Sequence, residues 1–145
     1  MTRTGAALAA AAVAAFAAPL RALAAWNKEA FGAKSAAEAL KGIGAPDAVP
    51  SKDLLLDAPE IAENGSVVPV EITSNIPGTK SIAVLVDKNP FPLVAKFDFL
   101  DDAVPFVKLN VKMGETSDVR VIAEAGGRHY VATRQIKVTI GGCGG

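Results

Sequence analysis

The residue best suited to chemistry is the only cysteine of the chain, Cys143, which lies third from the carboxyl terminus in the sequence GGCGG. Glycine has no side chain and loses more conformational freedom on ordering than any other residue, so this pattern predicts a thin and flexible arm. Three extended residues beyond Ile140 would place Cys143 about 10 Å from the last predicted strand. This is the geometry of a carrier that delivers a thiol, or a group bound to it, into a narrow cleft of another protein. The predicted arm consists of Cys143 and four glycines, Gly141, Gly142, Gly144 and Gly145.

The neighbours of Cys143 offer no means of activating its thiol. Reactive cysteines in enzymes usually have an adjacent His, Lys or Arg, or lie at a helix amino terminus. The nearest cation in sequence is Lys137, on the predicted last strand. A soft-metal site needs several ligands, and only His129 lies nearby. We therefore expect a protein that is not an enzyme, with no catalytic residue, no metal and no cofactor.

The first 25 residues have the composition of an export signal. Arg3 precedes an uncharged, Ala-rich run over residues 5–20, and Ala22 and Ala24 form an A-x-A cleavage pattern. The sequence therefore predicts a signal peptide over 1–25 and a periplasmic mature protein without a membrane segment; an amphipathic or anchoring helix is the alternative. In an oxidising compartment, a lone cysteine indicates either intermolecular pairing or a reactive group.

Charge excludes one class of partner. The chain has 15 basic and 15 acidic residues, whereas a nucleic-acid-binding protein normally shows a basic stripe. Its length of 145 residues fits one domain with a processed segment.

Residues 26–50 predict a helix followed by a linker. The segment WNKEAFGAKSAAEALK is rich in helix-favouring residues, and Phe31 and Leu40 are its main apolar anchors. We expect one short helix here. Prolines in the following GAPDAVPSKD favour irregular structure.

Residues 51–140 have the two-residue period of β-strands. Val68, Val70 and Ile72 share one face, while Pro69 restricts their strand to an edge or a bulge. Two turns are predicted from glycine-containing sequences, Asn64-Gly65 and Ala125-Gly126-Gly127. The last strand is predicted to point Ile136, Val138 and Ile140 into the core and to free everything beyond Ile140.

About seven such strands indicate an all-β fold, an immunoglobulin-like antiparallel sandwich with an N-terminal helix and a flexible C-terminal arm. A small closed barrel is the alternative.

Other polar and aromatic residues have simpler interpretations than catalysis. Phe91, between Pro90 and Pro92, is either an interface aromatic on a rigid loop or an ordinary buried one. His129 fits a satisfied or surface histidine, and Asp101-Asp102 fits a solvated loop, since carboxylate catalysis needs a cleft. Exposed strand positions are expected for four cations, Lys108, Lys112, Arg128 and Arg134.

The signal-like start, the sandwich strands and the GGCGG terminus together resemble the SoxY family, the sulfur-carrier subunits of the thiosulfate-oxidising Sox system. The segments LLLDAPEIAENGSVVPVEI and GGRHYVATRQIKVTIGGCGG carry this resemblance. The resemblance implies that Cys143 is the covalent attachment site for thiosulfate-derived sulfur and that the four glycines form its carrier arm. This sequence departs from the family in one respect. Such precursors usually carry a twin-arginine pair, and here only Arg3 precedes the apolar run.

The resemblance also implies partners. These are a SoxZ-like subunit in a heterodimer, a haem-containing SoxAX-like enzyme, a di-manganese SoxB-like hydrolase and, in some organisms, a SoxCD-like sulfur dehydrogenase. A function of another class remains open from the residues alone: an exported immunoglobulin-like binding module whose Cys143 links two copies by a disulfide.

Overall fold

The computed structural model describes residues 27–142. The predicted signal peptide over 1–25, Trp26 and the last three residues, Cys143, Gly144 and Gly145, lie outside the described residues.

The N-terminal region forms two short helices rather than the single helix expected. The first is α1 (Lys28–Gly32) and the second is α2 (Ala36–Gly42). Ser35 interrupts the helical run, since its extended backbone (φ −135°, ψ 154°) allows its side chain to accept a hydrogen bond from the backbone N–H of Glu38 and to begin a new helix. The prediction of one continuous helix is therefore wrong, because a helix-favouring composition does not reveal an internal cap.

The described chain continues into nine strands that form two sheets. The strands are β1 (Val49–Pro50), β2 (Leu54–Asp57), β3 (Ile61–Ala62), β4 (Val68–Ser74), β5 (Thr79–Val86), β6 (Leu93–Asp98), β7 (Phe106–Val111), β8 (Ser117–Ala125) and β9 (Arg128–Val138). Seven strands have four or more residues, as expected, and β1 and β3 have only two each. A six-stranded sheet has the order β1-β9-β8-β5-β6, with β3 also paired to β9, and a three-stranded sheet has the order β2-β4-β7.

The two sheets pack face to face around the main core, as the alternating sequence predicts. Val68, Val70 and Ile72 of β4 are all buried, and Ile82 and Val84 of β5 lie opposite them in the same cluster. The protein is thus an immunoglobulin-like β-sandwich. Burying an aliphatic side chain of this size stabilises a fold by about 1.5–3 kcal/mol.

The larger sheet is also buried on its second face. Ala83 and Leu85 of β5 point away from the sandwich interior and pack, together with Ile122 of β8, against the two helices. Ala30 and Ala39 are the fully buried helical residues, and their small side chains allow a close approach to the sheet. This helical layer makes a second core.

The sandwich is not purely antiparallel. Both β1 and β3 run parallel to β9 and pair with it on the side opposite β8. The linker predicted around Pro50 therefore contains a short paired strand. The prediction that Pro69 restricts its strand to an edge or a bulge is wrong, because β4 is the central strand of the smaller sheet. Pro69 is tolerated there because β2 pairs only with residues 71–74 of β4, which leaves Pro69 without a strand partner on that side.

The hairpin of β8 and β9 fixes the direction of the C-terminal segment. Gly126 and Gly127 have φ values of 58° and 73°, which suit glycine in a two-residue hairpin turn. Pairing runs without a register shift from Ala125↔Arg128 to Ser117↔Ile136. The hairpin prediction is confirmed. Because the hairpin is long, β9 ends at the opposite end of the sandwich from the Gly126-Gly127 turn.

A partly buried ion pair joins this hairpin to the loop after β5. Arg120 donates from Nε to both carboxylate oxygens of Asp87, at 2.9 Å each, and its Nη2 lies 2.7 Å from Asp87 Oδ2. The hydrogen bond to Asp87 raises the pKa of Arg120 above its usual value, so the guanidinium stays charged.

Candidate functional site

The segment that leads to Cys143 begins where β9 ends, at Val138. Ile136 is fully buried, as predicted, and Val138 is partly buried against the main core. Ile140 is 69% exposed, so its predicted inward orientation is wrong. The strand β9 ends at Val138, two residues earlier than the apolar pattern indicates.

The next two glycines, Gly141 and Gly142, lie in a backbone groove on the protein surface. We name these two residues the stem. The walls of the groove are the turn at Gly65-Ser66 and the segment Met113-Gly114, which follows β7. The stem is thus held between loops from both halves of the chain, and Gly142 is buried.

Three backbone hydrogen bonds connect the groove and the stem in series. Gly65 donates its N–H to the carbonyl of Ile140 (2.8 Å), and Met113 donates its N–H to the carbonyl of Gly65 (2.7 Å). Gly142 then donates its N–H to the carbonyl of Met113 (3.0 Å). The series links the tail, the turn before β4 and the end of β7.

The contacts leave no room for a side chain at Gly141 and little room for one at Gly142. A Cβ on Gly141 would lie 2.1 Å from the carbonyl oxygen of Gly114, and one on Gly142 would lie 3.0 Å from Ser66 Cα. The sequence predicts that the chain is free beyond Ile140, but the structure holds it through Gly142. Close packing therefore requires a glycine at Gly141 and favours one at Gly142, whereas a free arm would need neither for packing.

One side-chain and one backbone hydrogen bond stabilise the walls of the groove. Asn64 Oδ1 accepts a hydrogen bond from the N–H of Ser66 (2.9 Å), which closes a local turn. The Thr139 N–H donates to the carbonyl of Ala62 (3.1 Å), extending the parallel pairing of β3 with β9. The Asn64-Gly65 turn is thus real, but it connects β3 to β4, which do not pair, and so it is no hairpin. It serves as a wall for the tail instead.

The groove has little acid–base chemistry of its own. The residues in nearest contact with the stem, Gly65, Ser66, Met113 and Gly114, carry no ionisable side chain. The Met113 side chain is fully buried in the main core and anchors that wall. The arrangement can hold and orient the stem.

The structure separates the other candidate residues from this groove. His129 lies beside the loop of residues 44–49, and Asp101 and Asp102 border a groove with residues 74–80. Arg128, Lys108 and Lys112 are exposed and Arg134 is partly exposed, close to the surface positions expected.

Phe91 is about half exposed, with the Lys34 Nζ lying 3.6 Å from its ring centroid. The simpler prediction of a buried loop aromatic is therefore wrong.

Two further properties concern residues 27–142 only. Within this range, no group of three or more His, Cys, Asp or Glu side chains is placed to hold a metal ion. None of the helices in the same range has the length and apolar character needed to cross a membrane.

The sequence and the fold both match known proteins. A family model described as sulfur oxidation protein SoxY matches residues 40–143. The solved structure of the sulfur carrier protein SoxY from Chlorobium limicola f thiosulfatophilum is 42% identical, with a TM-score of 0.58 over 64% of this chain and 87% of that chain. A comparison with curated protein sequences gave no match.

A more distant structure shares the fold alone. The superoxide reductase (neelaredoxin) from Ignicoccus hospitalis is 18% identical, with a TM-score of 0.52 over 59% of this chain and 78% of that chain.

Proposed function

We propose that this chain, which belongs to the SoxY family of sulfur oxidation proteins, carries thiosulfate-derived sulfur covalently on Cys143 and presents it to partner enzymes. One observation carries the proposal: the family match ends at residue 143, the only cysteine of the chain. The groove beside the stem supports a carrier over an enzyme, since its nearest residues have no acid or base to contribute.

Loading of the carrier forms one S–S bond between Cys143 Sγ and the sulfane sulfur of thiosulfate. The thiol gives up its proton, and the two sulfur atoms together give up two electrons, which a haem-containing SoxAX-like partner accepts. The product is a cysteine S-thiosulfonate.

Unloading begins with hydrolysis by a SoxB-like partner. Water breaks the bond between the sulfane sulfur and the sulfonate sulfur, so that sulfate leaves and a persulfide remains on Cys143. This step transfers no electrons to an outside acceptor. Further oxidation of the persulfide is the task of a SoxCD-like dehydrogenase, where one is present.

The proposal places the carrier in the periplasm as a heterodimer with a SoxZ-like subunit. The signal-like composition of residues 1–25 supports the location. The identities of the SoxZ-like, SoxAX-like, SoxB-like and SoxCD-like partners rest on the family alone.

Intact-mass spectrometry tests the proposal directly. The full chain is incubated with thiosulfate in periplasmic extract from thiosulfate-grown cells, and its mass is measured without reduction. We expect two products that are heavier than the free chain. The thiosulfonate carries one added thiosulfate group and has lost the thiol proton and two electrons, and the persulfide carries one added sulfur atom. Because the chain has one cysteine, any such adduct must map to the C-terminal peptide.

The matched control is Cys143→Ser, which replaces only the sulfur by oxygen. This variant should fold normally, since the residue follows β9 and lies beyond the described core, and it should show no adduct. A bare thiol, or only a disulfide-linked pair of chains, in the native protein would refute the carrier proposal. The disulfide-linked pair would favour the binding-module alternative.

A further inference from the structure

We infer that Cys143 is presented from the stem, rather than from the end of β9, and that Gly65 is the positioning residue that makes this possible. The inference rests on the proposed function for its biological meaning, but the docking of Gly141 and Gly142 can be tested independently of sulfur chemistry.

Gly65 is the residue of the groove that can least accept a side chain. A Cβ there would lie 2.2 Å from the carbonyl oxygen of Met113, 2.8 Å from Val138 Cγ1 and 2.9 Å from the nitrogen of Gly142. Real Cβ atoms essentially never approach this closely, and two of the three atoms belong to backbone that cannot rotate away. Any side chain at this position must therefore push the groove and the stem apart.

The same residue is the centre of the hydrogen-bond series. Gly65 donates to Ile140 on one side and accepts from Met113 on the other, and Met113 in turn accepts from Gly142. Displacing Gly65 thus removes the partner of Ile140 and disturbs the hydrogen bond from the Gly142 N–H to the carbonyl of Met113. A packed turn far away in sequence decides whether the stem is docked.

Docking changes what a partner enzyme meets. With Gly142 held, the Cα of Cys143 lies about 3.8 Å from a fixed backbone position, instead of about 10 Å from the end of a free segment. Two glycine residues are then ordered before the arm enters a pocket, so entry costs less conformational entropy. The groove therefore fixes both the exit point and the reach of the thiol.

The test uses the full chain with a nitroxide spin label on Cys143, which labels one site because no other cysteine is present. We compare the native sequence with Gly65→Ala and Gly141→Ala. Both variants should undock the stem, which narrows the room-temperature electron paramagnetic resonance lines. Amide exchange at Gly142, measured on unlabelled protein, should become at least about tenfold faster, because its hydrogen bond to Met113 is lost.

The matched control is Gly32→Ala, the same substitution at the end of α1. A Cβ at Gly32 meets nothing within 4 Å, so neither the spectrum nor the exchange rate should change. Gly141→Ala controls for misfolding, since Gly141 follows the last strand and the three heavy atoms nearest to its Cβ all belong to Gly114. If Gly141→Ala leaves the label spectrum and the Gly142 exchange rate native, the docked stem is wrong.

A kinetic measurement separates positioning from mere packing. With a purified thiosulfate-loading partner, Gly65→Ala and Gly141→Ala should each raise the KM of that partner for the carrier by about tenfold and leave kcat near the native value. Unchanged KM in variants with a released stem would overturn the positioning role. Absence of any sulfur adduct on the native protein would instead overturn the proposed function, while the label and exchange results would still decide the docking.

Discussion

Leu85 offers the sharpest test of whether the larger sheet is buried on both of its faces. Its side chain is 0% exposed and points into the cluster between the sheet and the two helices. Its neighbours there include Leu93 and Ile122, which are held by the ladders of β6 and β8 and cannot collapse into a cavity. We therefore expect Leu85→Ala to lower the free energy of unfolding by about 3–4 kcal/mol.

The matched control is Leu55→Ala, the same chemical change on the outer face of the smaller sheet. Leu55 is 48% exposed and lies outside both core clusters, so its truncation removes little buried surface. We expect a loss below about 1 kcal/mol. The difference between the two variants then reports the burial of Leu85 in the cluster between the larger sheet and the helices.

Urea denaturation of the full chain, followed by far-ultraviolet circular dichroism, measures both values by linear extrapolation. The slope m should stay native, so that the whole difference appears in the midpoint. In a thermal scan, Leu85→Ala should melt roughly 10 °C below the native protein. Equal, small losses in the two variants would refute the reasoning, because the helices would then contribute no second core.

Two further predictions concern contacts that only the tertiary structure provides. Gly42→Ala should lower the free energy of unfolding by about 1–3 kcal/mol in the same urea assay, because its Cβ would lie 2.8 Å from Ala30 Cα and force α1 and α2 apart; native stability would contradict this packing. Arg120→Met should cost about 1–2 kcal/mol at neutral pH, since it leaves the partly buried Asp87 without its guanidinium. Lys80→Met, which breaks an exposed pair with Asp101, should cost less than about 0.5 kcal/mol, and an equal loss in both charge variants would contradict the assigned role of burial.

The main sandwich could be predicted from local pattern because strand burial repeats every two residues. Val107, Val111 and Met113 are buried as that period requires. The same period misplaced Ile140, because it continues in the sequence after the hydrogen-bonded ladder has ended. Apolar alternation shows which face a residue would take in a strand, but it does not show where the strand ends.

The second core escaped prediction for a related reason. Ala83 and Leu85 are buried opposite the main core, so residues 82–86 of β5 are apolar on both faces, which a sequence shows only as an unbroken run. The helices that cover this face are short and rich in alanine, and their sequence does not identify the surface they pack on. Only the folded chain pairs them with the sheet.

The sequence by itself determined the alternating strands, the hairpin at Gly126-Gly127 and the placement of a single thiol among four glycines near the terminus. It did so because strand period, turn geometry and residue type are properties of neighbouring residues. The tertiary structure decided that Gly141 and Gly142 are docked, and that Gly65 must lack a side chain for this to happen. That decision depends on backbone atoms from distant segments lying within hydrogen-bonding distance, and such contacts between main chains leave no pattern in local sequence.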